Sequence, residues 1–133
     1  MSAADELQIR NLIAQMAQVA DECQDLAEYG ALFCEDAHWE IKGQSAFRGR
    51  EQIIAGAAQR RSEGLVGPGS HTRHVITTLQ VQVEGEHASA TCTCLFYTDT
   101  ATQPTVRALT KYSDEFVRTP EGWRMSRRLI ELC

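Results

Sequence analysis

The pattern of hydrophobic and polar positions predicts an amphipathic helix near the start of the chain. Its apolar side chains recur at intervals of three and four residues: Ile9, Leu12, Ile13, Met16 and Ala20. This spacing places them on one face of a helix. Ser2 with Asp5 resembles a capping box that would start this helix. Asp21 falls at its end, at the joint to the next helix, and has no capping role of its own.

Shorter helical and extended segments are predicted between residues 25 and 70. Asp25 with Glu28 is a second capping pair, and it predicts a short helix through Leu26, Tyr29, Leu32 and Phe33. A short strand at 37–41 and an extended piece at 46–48 follow. Gly49 then precedes a third helix that runs to about Arg61. The segment 63–70 contains three glycines and Pro68, so we expect a loop there that can act as a mobile flap.

After residue 73 the pattern predicts strands only. A strand-like alternation of two sets of side chains begins at His74. One set would face one side of the strand and the other set the opposite side: Val75, Thr77, Leu79, Val81 and Val83 against His74, Ile76, Thr78, Gln80 and Gln82. Three more strands are expected at 88–98, 105–118 and 123–132, separated by turns at 84–86 and 119–122 and by a polar loop at 99–104. Helices followed by an antiparallel meander predict an α+β fold, with the N-terminal helices packed on one face of the sheet.

Length and charge restrict the classes of function. With 133 residues the chain has enough length for one domain, spanning 1–133, with one core. The formal net charge of −5 argues against a nucleic-acid partner, because such domains carry a basic stripe. No apolar run approaches the roughly 20 residues that a bilayer span needs. The first residues also lack the features of a signal peptide. We therefore expect no membrane partner and a cytoplasmic location.

The sequence shows no spacing typical of metal, nucleophilic or nucleotide chemistry. The five cysteines are an odd number without a secretory signal, which predicts reduced and mostly buried thiols. The four histidines are scattered without metal-ligand spacing. No Ser or Cys stands in a strand–turn–helix elbow, and no glycine-rich phosphate loop precedes a helix. We therefore expect no metal and no cofactor.

A set of short motifs in a fixed order resembles the SnoaL-like proteins of the nuclear-transport-factor-2-like superfamily. Asp21 and Asp25-Leu26 come first, then the segments 32–40 (LFCEDAHWE), 47–53 (FRGREQI), 72–75 (TRHV), 112–118 (YSDEFVR) and 122–125 (GWRM). Each motif is degenerate by itself, but together they span nearly the whole chain. The resemblance implies a cone-shaped fold, in which helices close over a curved, mainly antiparallel sheet and leave an apolar cavity open at one end.

The resemblance also implies a catalytic pair. Asp21 and His74 match the Asp and His of the family's dehydratases, where the imidazole removes a proton and the carboxylate orients it. The family's second imidazole is absent, and Tyr97, at that place, or Tyr112 is expected to supply a hydroxyl donor instead. The ketosteroid isomerase pattern does not carry over, because Ile41 stands at its base position and Leu109-Thr110 at its acid position. Five residues are the candidates for substrate binding: Met16, Phe33, Trp39, Tyr112 and Arg127.

Two functions from different classes are consistent with these residues. The first is a cofactor-independent lyase or isomerase that acts on a small apolar carbonyl or polycyclic compound, by dehydration, double-bond migration or cyclisation. The second is a non-catalytic ligand-binding protein or dioxygenase-type small subunit, in which Asp21 and His74 only tie a helix to the sheet. Of Arg127 and Arg128, which alternate in facing, one is expected to point inward. Apolar positions on the outer sheet face predict a homodimer.

Overall fold

The computed structural model describes residues 3–133, in which helices and short strands precede four long strands. The elements in chain order are α1 (Ala3–Glu22), α2 (Leu26–Gly30), β1 (Phe33–Ile41), β2 (Ser45–Arg48), α3 (Arg50–Ser62), β3 (Arg73–Glu84), β4 (His87–Thr98), β5 (Thr105–Thr119) and β6 (Gly122–Leu132). Each helix and strand predicted from the sequence has a counterpart in the structure. The predicted capping residue Ser2 lies outside the described residues.

All six strands belong to one sheet, with the order β2-β1-β6-β5-β4-β3. Neighbouring strands are antiparallel except β1 and β6, which are parallel. The apolar stripe of α1 is buried against the sheet through Ile9, Leu12, Ile13 and Met16. Helices on one face of a mainly antiparallel sheet confirm the predicted α+β class.

The end of α2 differs from the prediction. Asp25 caps the helix as expected, since its Oδ1 accepts from the Ala27 amide at 2.9 Å. The helix ends at Gly30, however, and does not continue through Phe33. A side chain at Gly30 would collide with Ile54 of α3, so the glycine allows α2 and α3 to pack closely. Phe33 begins β1 instead, pairs with Met125 of β6 and is fully buried.

The alternation of β3 is interrupted by a β-bulge, which the sequence pattern did not predict. Thr78 has a φ of 51°, and the pairing with β4 shifts between Thr77 and Gln80. The extra residue moves each later side chain of the strand to the opposite face of the sheet from the one that the alternation predicts. Val75 is therefore 42% exposed, whereas Val83 is buried, although an unbroken alternation would place both on one face. Because of the bulge, His74, which precedes it, and Val83, which follows it, both face the helices.

Candidate active site

A cavity of about 540 Å³ lies between the helices and the inner face of the sheet. All three helices contribute to its wall, together with the loop before β3 and strands from both halves of the sheet. Most of the lining side chains are apolar or aromatic, among them Met16, Leu26, Trp39, Ile76, Phe96 and Ile130. Two of the predicted substrate-binding residues besides Met16 also line it, namely Trp39 and Tyr112. Such a cavity is suited to a small, largely apolar ligand.

Asp21 and His74 are in direct contact at the wall of this cavity. Asp21, in the last turn of α1, is buried, and its Oδ1 lies 2.7 Å from His74 Nδ1. Its Oδ2 accepts from the backbone amide of His74 at 2.9 Å. His74 lines the cavity, and its ring centroid lies 4.8 Å from that of Phe96. Both carboxylate oxygens therefore hold one histidine, which fixes the position and the orientation of its ring.

The contact determines which ring nitrogen carries the proton. An ionised carboxylate can only accept hydrogen bonds, so Nδ1 of His74 is the donor toward Asp21. In the neutral imidazole the lone pair is then on Nε2, which makes this atom the proton acceptor of the pair. The carboxylate would stabilise the imidazolium after the proton is taken up, as in the hydrolase triad.

Arg61 of α3 stabilises the turn that carries Asp21. Its guanidinium donates to the backbone carbonyls of Val19 and Ala20 at 3.2 and 3.0 Å, and to that of Gln24 at 3.3 Å. The carbonyls of Val19 and Ala20 lie in the last turn of α1 and that of Gln24 lies just after it, where a cation is favourable. Arg61 thus caps α1 next to Asp21 and connects α3 to the candidate site.

A second polar pair lies at the cavity wall on β5 and β6. Arg128 donates to both oxygens of Asp114, from Nε at 2.9 Å and from Nη2 at 3.0 Å, and both residues are buried. The guanidinium carbon lies 4.3 Å from the centroid of the Tyr112 ring. Burial by itself lowers the pKa of Arg128, but the charge and the hydrogen bonds of Asp114 outweigh it and raise the pKa above its usual value.

The prediction that Arg127 lines the cavity is wrong. Arg127 points to the outer face, where it is exposed and lies 3.5 Å from Glu115. The inward-facing arginine of this pair is Arg128. The choice depends on the register of β6 against β5, in which Asp114 pairs with Arg128 and Glu115 pairs with Arg127. Sequence alternation alone showed that the two arginines face opposite sides, but not which one faces inward.

Two other predicted site residues lie away from the cavity. Phe96 and Thr98 line it, so Tyr97 between them faces the opposite side of β4, and it is not among the lining residues. Tyr97 therefore cannot donate its hydroxyl to a ligand in this cavity. Phe33 is a core residue that contacts the ring of Tyr29 edge to face, with centroids 5.2 Å apart. Neither position is consistent with the role predicted for it.

Two other tyrosines line the cavity: Tyr112, which was the alternative hydroxyl donor to Tyr97, and Tyr29. Tyr112 lines the cavity, and burial raises the pKa of Tyr112 well above its usual range. Tyr29 also lines the cavity, and burial raises the pKa of Tyr29 as well. Both hydroxyls are therefore protonated donors at neutral pH. Tyr29 was not a predicted site residue, because its place in an apolar helix pattern is typical of a core residue.

The thiols of β4 also face inward, as their spacing of two residues indicates. Cys92 and Cys94 are buried, and burial raises the pKa of Cys92 to about 12 and raises that of Cys94. Both stay protonated at neutral pH, so neither is an activated nucleophile. Within residues 3–133 no three His, Cys, Asp or Glu side chains converge into a possible metal site. No helix in the same range is long and apolar enough to cross a bilayer.

Comparison with known proteins agrees with this geometry. The profile of the SnoaL-like domain family matches residues 1–129. An uncharacterised protein of Mycobacterium tuberculosis is 26% identical over 134 aligned residues, which cover 98% of this chain and 86% of that protein. A nuclear-transport-factor-2-like protein with a cystatin-like fold from Novosphingobium aromaticivorans is 28% identical, with a TM-score of 0.86 and coverage of 97% and 82% of the two chains.

A third similar protein carries a functional description. It is a dehydratase candidate of the nuclear-transport-factor-2-like family from Streptomyces avermitilis, with a TM-score of 0.82. The two sequences are 16% identical, and the alignment covers 100% of this chain and 99% of the other. At this identity the likeness establishes a shared fold and no more. These neighbours confirm the fold that the motif resemblance predicted.

Proposed function

The chain belongs to the SnoaL-like domain family, and we propose that it is a cofactor-independent lyase or isomerase acting through proton abstraction. One observation carries the proposal: Asp21 and His74 are hydrogen-bonded at 2.7 Å at the wall of an apolar cavity that is large enough for a substrate. A base in such a site needs a fixed tautomer and access to the ligand, and His74 has both. Asp21 is the orienting partner.

The proposed step moves one proton and one electron pair. Nε2 of His74 takes a proton from the carbon next to a substrate carbonyl, and the electron pair of the broken C–H bond moves to the carbonyl oxygen. An enolate and an imidazolium result. Asp21 stabilises the imidazolium, and the Tyr112 hydroxyl, on the same cavity wall, is the donor for the enolate oxygen. Return of the proton to another carbon gives an isomer, whereas its delivery to a departing hydroxyl gives dehydration.

The cavity indicates the size and polarity of the substrate. About 540 Å³ lined mainly by apolar and aromatic side chains accommodates a compound of two or three fused rings. The hydroxyls of Tyr29 and Tyr112 provide polar contacts for one or two oxygen atoms. We therefore propose a small carbonyl or polycyclic substrate, which undergoes double-bond migration, dehydration or cyclisation. The cytoplasmic location and the lack of a cofactor stay predictions from the sequence.

Hydrogen exchange tests the proposal without knowledge of the natural substrate. The protein is incubated in D₂O with a cyclic ketone such as 2-tetralone, and deuterium at the carbon next to the carbonyl is followed by NMR. We expect exchange to exceed that caused by the same concentration of free imidazole by about 10²-fold or more, because the base and the ketone are held together. Exchange no faster than with free imidazole, from a ketone shown to bind, would contradict the proposal.

A non-catalytic binding protein or dioxygenase-type small subunit is the second candidate. Asp21 Oδ2 accepts from the backbone amide of His74, which ties the end of α1 to the start of β3 whatever the imidazole does. This bond favours a structural role for the pair. In that case the same cavity would hold a ligand without exchanging its protons, so the exchange assay separates the two candidates.

We further propose that two copies of the chain pair through the outer face of the sheet. Val75, Leu95 and Leu109 form a row across β3, β4 and β5 on the face opposite the cavity. Val75 and Leu109 are 42% and 46% exposed, an apolar row that a second copy would cover. A two-fold contact would set the row of each copy against that of the other, the usual arrangement in homodimers.

Leu109→Lys is expected to weaken this dimer. A two-fold contact would bury the new charge twice, so we expect the dissociation constant of the dimer to rise by about 100-fold or more. Sedimentation velocity over a concentration series measures the change. Leu7→Lys is the matched control, since Leu7 is an exposed leucine on α1, away from the row. A wild-type chain that sediments as a monomer at high micromolar concentration would contradict the dimer.

A further inference from the structure

The wall of the cavity carries more positive than negative charge. Among the described residues, the lining includes four arginines and one carboxylate: Arg60, Arg61, Arg107, Arg128 and Asp99. Two of these arginines are already occupied. Arg128 is neutralised by Asp114, and Arg61 donates to the carbonyls at the end of α1. Arg107 is exposed, and solvent can hydrate its charge.

Arg60 differs from the other three. Its guanidinium carbon lies 4.5 Å from the centroid of the Trp39 ring and 6.0 Å from that of Phe47. Arg60 is half-buried, and within the described residues it forms no ion pair. Burial lowers the pKa of Arg60, while the nearby hydroxyls of Tyr29 and Tyr112 raise it in part. An arginine nevertheless keeps its charge at neutral pH.

A partly desolvated cation without a carboxylate is unfavourable unless something in the cavity compensates it. Stacking on Trp39 stabilises the faces of the guanidinium, but its N–H groups lie at the edge of the plane and need acceptors. The planar arrangement of these N–H groups matches the two oxygens of a carboxylate. Since Arg60 lines the cavity, a ligand can supply these oxygens.

We propose that Arg60 binds an anionic oxygen group of the ligand, and that the cavity takes aromatic or polycyclic carboxylates in preference to neutral compounds of the same shape. The inference rests on the proposed function, because it assigns the substrate class of the same cavity. It adds a second recognition point to the proton-abstracting pair. The aromatic wall formed by Trp39 would lie beside the rings of such a ligand, next to the stacked guanidinium.

Paired ligands test the inference by binding alone. The probes are 2-naphthoate and 2-naphthamide, which have the same rings and differ in charge, and the dissociation constants are measured by calorimetry on the wild-type chain. We expect naphthoate to bind about 10–100-fold more tightly, the range for hydrogen bonds to a charged group. In Arg60→Met this preference should fall to less than about threefold. Arg60→Lys should keep part of it, because the charge remains and the paired N–H geometry is lost.

Matched variants assign the effect to one arginine. Arg107→Met removes another cavity arginine, and Arg127→Met removes one on the outer face; both should keep the preference for naphthoate. Circular dichroism verifies that each variant is folded. A wild-type chain that binds the two probes equally, or fails to bind naphthoate at millimolar concentration, would overturn the inference. So would a preference that survives Arg60→Met or disappears in Arg107→Met.

The outcome is independent of catalysis. Binding of the two probes involves no proton transfer, so the preference for naphthoate is measured separately from hydrogen exchange. If the exchange assay fails while the charge preference is present and depends on Arg60, the cavity is an anion-binding site in a non-catalytic protein. If exchange occurs without a charge preference, the proposed function stands and the role of Arg60 is refuted.

Discussion

His74→Ala is expected to slow ketone hydrogen exchange by about 10²–10⁴-fold while the chain remains folded. This is the range over which a positioned general base accelerates a proton transfer. Asp21 orients the imidazole, and the ring lines the cavity wall. The measurement is the NMR-detected incorporation of deuterium into 2-tetralone, with the same protein concentration for each variant.

Two further variants make this result specific. His74→Ala also removes a hydrogen bond from buried Asp21, so His74→Asn is made in parallel; its side-chain amide can donate toward Asp21 but cannot act as a base. His87→Ala, at an exposed position at the start of β4, is the matched histidine control and should exchange at the wild-type rate. A folded His74→Asn variant with an unchanged rate would eliminate the proposed mechanism.

Much of the fold could be predicted from local pattern because its signals are short-range. The helical spacing of Ile9, Leu12 and Ile13 and the capping bond of Asp25 depend on neighbours within a few residues. The sequence also showed that Asp21 and His74 match the Asp and His of a known family, although the two residues are 53 positions apart. Their contact needed the fold itself, since α1 and β3 meet only when the sheet forms.

Three of the predictions that failed depended on strand register. A bulge at Thr78 reverses the facing of β3, and no turn residue or glycine in that stretch indicates it. The facing of Arg127 depends on its pairing with Glu115 across β5 and β6. Tyr97 was wrongly placed in the site for the same reason, because one position along a strand exchanges the inner and outer faces.

Arg60 was missed for a different reason. The sequence shows it as one of two adjacent arginines near the end of a helix, a pattern typical of a solvated helix end that favours cations. Helical spacing contained a usable signal, because Ile53, Ala57 and Arg60 follow at intervals of four and three and so share one face. Ile53 and Ala57 are buried, and that face therefore carries Arg60 into the cavity.

The candidate site thus combines two fixed polar pairs in an apolar cavity. In the first pair Asp21 orients the imidazole of His74, which can gain and lose a proton. In the second pair Asp114 is bound to the guanidinium of Arg128, which stays charged. The second pair connects β5 to β6 beneath Tyr112 and so supports the wall on which a proposed donor lies. Its loss should therefore affect stability before it affects chemistry.

Asp114→Asn is expected to lower the free energy of unfolding by about 3–5 kcal/mol. The substitution leaves the charge of Arg128 buried without its counterion, and breaking a buried pair by removing one partner has a cost of this size. The total free energy of unfolding of a domain is only about 5–15 kcal/mol, so the variant should unfold at a much lower denaturant concentration. Urea unfolding followed by circular dichroism measures the difference.

The neighbouring residue provides the control for this prediction. Glu115→Gln removes the exposed partner of Arg127, one position along the same strand, and should change the unfolding free energy by less than about 1 kcal/mol. The double variant Asp114→Leu with Arg128→Met removes both charges, and it should recover most of the stability because no isolated charge is left in the core. If Asp114→Asn were as stable as Glu115→Gln, the buried pair would contribute nothing to holding β5 and β6 together. The cavity wall would then depend on apolar packing alone.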